Sequence, residues 1–89
     1  MAKRSDIQCS VLTPETQVLD AAATAVVFPA HDGLIGILKN RAPLICELGT
    51  GELRIDTVGG KQERIHIEGG FASVRDNEVT ILTEKASQD

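Results

Sequence analysis

The side chains with the most chemical capacity in this 89-residue sequence are two histidines, two cysteines and thirteen carboxylates. The one close grouping is His31-Asp32-Gly33, which offers the residue types of a metal ligand pair or an acid–base pair. A metal centre needs more donors converging on one point, and acid–base catalysis needs a nucleophile or a substrate pocket beside the pair. The flanking residues supply neither. The same three residues are good turn formers, because Asp32 can hydrogen-bond its own backbone and Gly33 accepts a positive φ. Cys9 and Cys46 lie outside any C-x-x-C pair, and with two scattered histidines they make no zinc site. They read as two reduced, mostly buried small hydrophobes or, in an oxidising compartment, as a disulfide. His66 alternates with Ile65 and Ile67 and so belongs to the opposite, solvent- or partner-facing side of its strand. Gly49-Thr50-Gly51 is too short to cradle a phosphate unaided, and neither a phosphate-loop motif nor a nucleophile elbow is present. Nothing in the pattern is catalytic, and no metal or cofactor is expected.

Any contact surface must then be carried by a small scaffold. Eighty-nine residues allow one domain with one modest core, expected to span 1–89 with 1–6 and 85–89 as flexible tails. At 42% apolar and 25% charged the composition is that of an ordinary globular chain, not of a disordered tail. Two Phe and no Tyr or Trp leave the core to Val, Ile, Leu and Ala, and leave no aromatic platform for bases or sugars. A net charge of −4 argues against nucleic acid, whose phosphates call for a basic face. No apolar run reaches the length of a membrane span, and the N-terminus lacks the apolar region of a signal peptide, so a cytoplasmic protein is expected.

Helical periodicity is nearly absent and alternation is common. Arg64-Ile65-His66-Ile67-Glu68 and Leu53-Arg54-Ile55-Asp56 each place apolar side chains on one face, as a half-buried strand requires. Strands are predicted at 7–12, 17–23, 25–28, 36–38, 45–48, 52–58, 62–68, 71–75 and 78–83. Ala21-Ala22-Ala23 favours helix by propensity, but the run is short and leads into Val26-Val27-Phe28 and a proline. Gly59-Gly60 and Asp76-Asn77 suit tight type I′ hairpins, whose two central residues need positive φ. Short strands at such spacing predict an all-β fold, a single small β-sandwich of about nine or ten mostly antiparallel strands.

Several stretches also carry a family likeness, in order. Residues 11–15 read VLTPE; Pro29 is followed by GLIGIL at 33–38; Ala42-Pro43-Leu44 precedes GELRI at 51–55; then come Gly69-Gly70-Phe71 and VTIL at 79–82. Over residues 7–85 the sequence resembles the N-terminal β-domain of the ε subunit of the F-type ATP synthase, called δ in mitochondria. The resemblance implies a non-catalytic rotor role, linking the γ subunit of the central stalk to the membrane c-ring. It implies a peripheral place on the cytoplasmic face of a bacterial inner membrane, reached only through the complex. It carries a c-ring contact onto His31, Asp32 and Leu34, and a γ contact onto Thr13, Arg41, Ala42, Pro43, Leu44 and Cys46. Leu34 stands where many members are acidic, so an exposed Leu34 implies a more apolar contact or a c-ring loop changed to match. Lys39, Asn40 and Arg41 replace the family's usual Pro-Gly-His. Arg41 keeps a permanent charge and a planar fork suited to carboxylates, facing either an acidic or carbonyl-rich patch on γ or plain solvent. Family members commonly continue into a helical hairpin that can inhibit ATP hydrolysis. Residues 84–89 are a polar tail, so no inhibition and no ATP sensing are expected of this chain, whether the short form is natural or trimmed. The competing reading is a free-standing β-sandwich that binds a peptide edge or a small ligand.

Overall fold

The alternation seen in the sequence becomes a pleated sheet in the computed structural model, which describes residues 6–88. The strands are β1 (Ile7–Leu12), β2 (Gln17–Ala30), β3 (Gly33–Ile37), β4 (Leu44–Glu47), β5 (Thr50–Thr57), β6 (Gln62–Glu68), β7 (Phe71–Arg75), β8 (Glu78–Leu82) and β9 (Lys85–Gln88). No helix occurs among the described residues. The strand order is β4-β7-β8-β1-β2-β5-β6-β9, with β3 also on β2. Every pairing is antiparallel except β1 with β8.

Strand β2 makes one sheet into two layers. Its first half pairs with β1, and its second half pairs with β5 on one edge and β3 on the other. The register shifts between Ala23 and Ala25, an irregularity of the kind that bends a strand and lets it change layers. The two strands predicted at 17–23 and 25–28 are therefore one. Pro29 sits inside it without harm, because the ladder there uses its carbonyl, which accepts from the Gly49 N–H at 2.9 Å. The alanine run stays extended because Ala21, Ala22 and Ala23 each face a residue of β1, and that pairing overrides their helix propensity.

Both layers turn their apolar sides to one core. Ile7, Cys9, Val11, Ala72, Val74, Val79 and Ile81 come from one side, and Val26, Phe28, Ile37, Leu53, Ile55, Ile65 and Ile67 from the other. Cys9 and Cys46 are both free. They lie on β1 and β4, with β8 and β7 between them, so three strand spacings of about 4.8 Å put them out of disulfide reach.

Two local expectations change. Asp76 and Asn77 adopt φ of 52° and 62°, as a type I′ hairpin requires. At the β5–β6 turn only Gly60 is left-handed, at 89°. The Gly60 N–H donates to the Thr57 carbonyl at 3.0 Å, and the Thr57 N–H to the Lys61 carbonyl at 2.8 Å. That is a three-residue loop closed by a bulge, not a two-residue turn. The stretch read as a polar tail also contains a strand, since Lys85–Gln88 pairs with β6. It is anchored by Ala86 on the core and by the buried Thr83, whose hydroxyl lies 2.7 Å from the Gly69 carbonyl oxygen.

Candidate partner-binding site

The connecting segments sort into two ends. At one end the His31 N–H donates to the Glu47 carbonyl at 3.1 Å, the Leu48 N–H to Gly70 at 2.8 Å, and the Thr83 N–H to Leu12 at 3.0 Å. These bonds gather the β2–β3 turn, the β4–β5 and β6–β7 links and the end of β1. At the other end the Gln8 N–H donates to the Asn77 carbonyl at 2.9 Å, and the Asn40 N–H donates to Oδ1 of Asn77 at 2.6 Å. That end holds the β7–β8 hairpin and the β3–β4 loop.

The residues expected at a c-ring contact stay together. His31 and Asp32 form an exposed turn, and Gly33 has the positive φ expected of it, at 142°. Leu34 follows on β3 and is 72% exposed, so this surface is more apolar than the usual acidic residue would make it. His31, Asp32 and Leu34 line an open cleft together with Cys46 and Glu47. Among the described residues, no three His, Cys, Asp or Glu side chains are grouped as a metal site would require.

The residues expected at a γ contact are divided. Arg41, Ala42 and Pro43 are exposed in the β3–β4 loop, and Arg41 joins none of the ion pairs among the described residues. Thr13 lies at the opposite end, where its hydroxyl and N–H both bond Thr16. Leu44 and Cys46 point inward and pack against the core. Alternation puts Ile45, between them, on the outer face, where it is 77% exposed.

Ile45 is one corner of an apolar surface that sequence reasoning did not assemble. On the outer face of the β4-β7-β8-β1 layer, Phe71 and Leu82 stand directly opposite each other across β7 and β8, 57% and 52% exposed. Ile45 faces Ser73 on β7, and Ser73 faces Thr80 on β8. Leu82 continues to Leu12 on β1, and a groove joins Phe71 and Leu82 to Thr13 and Pro14. The surface therefore runs from Thr13 at one end toward Pro43 at the other, and these two are its extremities. The signal was available: in Leu44-Ile45-Cys46 the middle residue must face away from its neighbours. The same face also carries Glu47 opposite Phe71 and Arg75 opposite Glu78, and the outer face of β5 and β6 is charged too. Arg54 lies 3.7 Å from Asp56, and His66, exposed as expected, lies 3.8 Å from Glu68.

The thiols add no chemistry. Burial, with a smaller push from the Asp20 carboxylate, raises the Cys9 pKa from 9.0 to about 12. Burial also raises that of Cys46, so the thiolate is disfavoured at both positions. What the molecule offers is a stiff core, one face with an apolar patch, and two loop ends, an arrangement for binding.

Known proteins similar to this chain include ATP synthase epsilon chains. A profile of the ATP synthase Delta/Epsilon chain β-sandwich domain matches residues 6–89. An ATP synthase epsilon chain of Rhodopirellula baltica is 48% identical over 80 residues, covering 90% of this chain and 62% of that one. One from Desulfitobacterium hafniense is 50% identical over 76 residues, covering 85% of this chain and 57% of that one. The chain thus spans about three-fifths of the length of these relatives. Among solved structures, a chain in the Euglena gracilis mitochondrial ATP synthase (OSCP/F1/c-ring) is 26% identical with a TM-score of 0.89, covering 99% of this chain and 56% of that one. With its nine-stranded two-layer fold and a profile match over almost its whole length, the chain belongs to the β-sandwich domain family of ATP synthase delta/epsilon chains.

Proposed function

We propose that this chain, residues 1–89 acting as one domain, is a non-catalytic rotor component of an F-type ATP synthase. It binds the γ subunit with the outer face of its β4-β7-β8-β1 layer and meets the c-ring with its β2–β3 turn. The observation that carries this reading is the exposed set Ile45, Phe71 and Leu82 on one rigid sheet face, in a member of this family. Full burial of a large apolar side chain is worth about 1.5–3 kcal/mol. Three on one face, rimmed by Thr13, Arg41 and Pro43, have the apolar centre and polar rim of a specific interface. The Euglena relative sits in an assembly described by its F1 and c-ring parts, which supports both partners. His31, Asp32 and Leu34 project from the same end of the sandwich as Phe71 and Leu82, so the two proposed contacts adjoin at that end. The protein would then lie peripherally on the cytoplasmic face of a bacterial inner membrane, attached through the complex; no helix among the described residues is long and apolar enough to cross a membrane.

The test is size-exclusion chromatography of the chain mixed with the γ subunit encoded by the same genome. One-to-one co-elution that is lost in Phe71→Ser/Leu82→Ser, with the variant still folded, is the expected result. A wild-type chain that elutes apart from folded γ removes the γ reading.

A further inference from the structure

We propose that Asn77 is a positioning residue that holds the β3–β4 loop, residues 38–43, in a single docking shape; the inference rests on that loop being part of the γ-facing surface. The loop leaves β3 after Ile37 and enters β4 at Leu44, and every residue between is exposed. It is not held by burial. Outside the strand ladders, both hydrogen bonds that residues 38–43 make among the described residues go to the Asn77 carboxamide. Oδ1 of Asn77 accepts the Asn40 N–H at 2.6 Å, and Nδ2 of Asn77 donates to Oδ1 of Asn40 at 3.4 Å. The short bond lies on the backbone of residue 40, so it fixes the path of the chain and not merely a side chain.

Asn40 itself has a φ of 68°, a left-handed conformation that asparagine tolerates better than other non-glycine residues. On the other side, Asn77 is the second residue of the rigid β7–β8 turn, and its carbonyl accepts the Gln8 N–H at 2.9 Å. One asparagine thus ties a six-residue loop to two paired strands. Arg41 and Pro43 line the same polar cleft as Asp76 and Asn77, so the residues presented to a partner follow directly on the clamped one. Asparagine is the fitting side chain for this place. It tolerates positive φ at its own position and carries an acceptor and a donor at the length needed to reach residue 40.

A loop that reaches its docking shape only part of the time binds with an affinity reduced by that fraction. Asn77→Gly suits a φ of 62° and keeps the turn and its backbone bond, but removes the carboxamide. Asn77→Asp keeps the acceptor for the Asn40 N–H. Titration of γ with the three proteins is expected to give an affinity about ten-fold weaker for Asn77→Gly and within about three-fold of wild type for Asn77→Asp. Amide hydrogen exchange at Asn40 should rise in Asn77→Gly while exchange at Val79 stays unchanged, which a general loss of stability would not produce. Wild-type affinity in Asn77→Gly, equal losses in both variants, or unchanged exchange at Asn40 would each overturn the proposal alone. A wild-type chain that does not bind γ would remove the rotor reading and this proposal with it.

Discussion

Gly70 is the position at which the backbone tolerates least. Its φ is 111°, and a Cβ built on it would overlap the Leu82 carbonyl oxygen and lie 2.7 Å from the Thr83 Cα. All of these are backbone atoms of the adjacent strand end, so no side chain can swing away. Gly70→Ala is expected to cost about 4 kcal/mol or to prevent folding. Gly60 separates clash from strain, since it is left-handed at 89° with nothing within 4 Å of an added Cβ. Gly60→Ala should therefore lose only about 1–2 kcal/mol. Gly59 has open space and no left-handed φ, so Gly59→Ala should be neutral or stabilise by about 0.5 kcal/mol. Urea unfolding of the three variants checks the ranking; a mild Gly70→Ala would show that the β6–β7 link can move. Cys9 makes a separate prediction. Its pKa is raised on folding, from 9.0 to about 12, so the folded state keeps a proton that the unfolded state releases. The sign follows: the contribution is intact below pH 9 and is lost as pH rises toward 12. At pH 10.5 the wild type should have lost about 2 kcal/mol relative to its stability at pH 8, a decrease absent from Cys9→Ala.

Among the elements, β9 is held by little. It has four residues and, among the described residues, pairs only with β6 and contributes Ala86 alone to the core. Ala86→Asp puts a carboxylate against apolar side chains, and β9 is expected to detach at a cost of about 2 kcal/mol. Amide exchange should then rise along residues 65–68 of β6, which β9 covers, and stay unchanged in β7. Unaltered exchange in β6 would mean that β9 protects nothing. The same strand shows where sequence reading reaches its limit. Arg64 to Glu68 declares itself by alternation, and Asp76-Asn77 by turn chemistry, because each signal is local. Lys85–Gln88 has no apolar pattern and is a strand only because an edge of β6 is there to receive it. β2 reads as two strands, 17–23 and 25–28, whereas tertiary pairing carries the chain through Thr24 and past Pro29. The candidate site was legible in the same uneven way. His31, Asp32 and Leu34 are neighbours in sequence and remain neighbours in space. The face made by Ile45, Phe71 and Leu82 joins three strands and depends on register, which no single segment encodes.

At the scale of the whole molecule, with principal extents of 36 × 25 × 21 Å, the β2–β3 turn and the β3–β4 loop lie apart on one stiff body. The β2–β3 turn and the β3–β4 loop are consecutive in the chain yet sit at opposite ends, because β3 runs between them. Two sheets over one core resist the shear that would let one end respond to the other. Substitutions at the two ends should therefore act independently. Asp32→Ala is expected to weaken attachment to the c-ring without changing affinity for γ, and Arg41→Ala to do the reverse. Their combined effect on assembly of a γ–chain–c-ring complex should equal the sum of the separate effects within about 0.5 kcal/mol. The measurement is a double-mutant cycle on complex formation, with γ binding followed alone and then with c-ring present. A large coupling energy would mean that the sandwich deforms on binding and passes strain from one end to the other. Additivity would mean that it works as a rigid spacer, which is what the proposed rotor role demands.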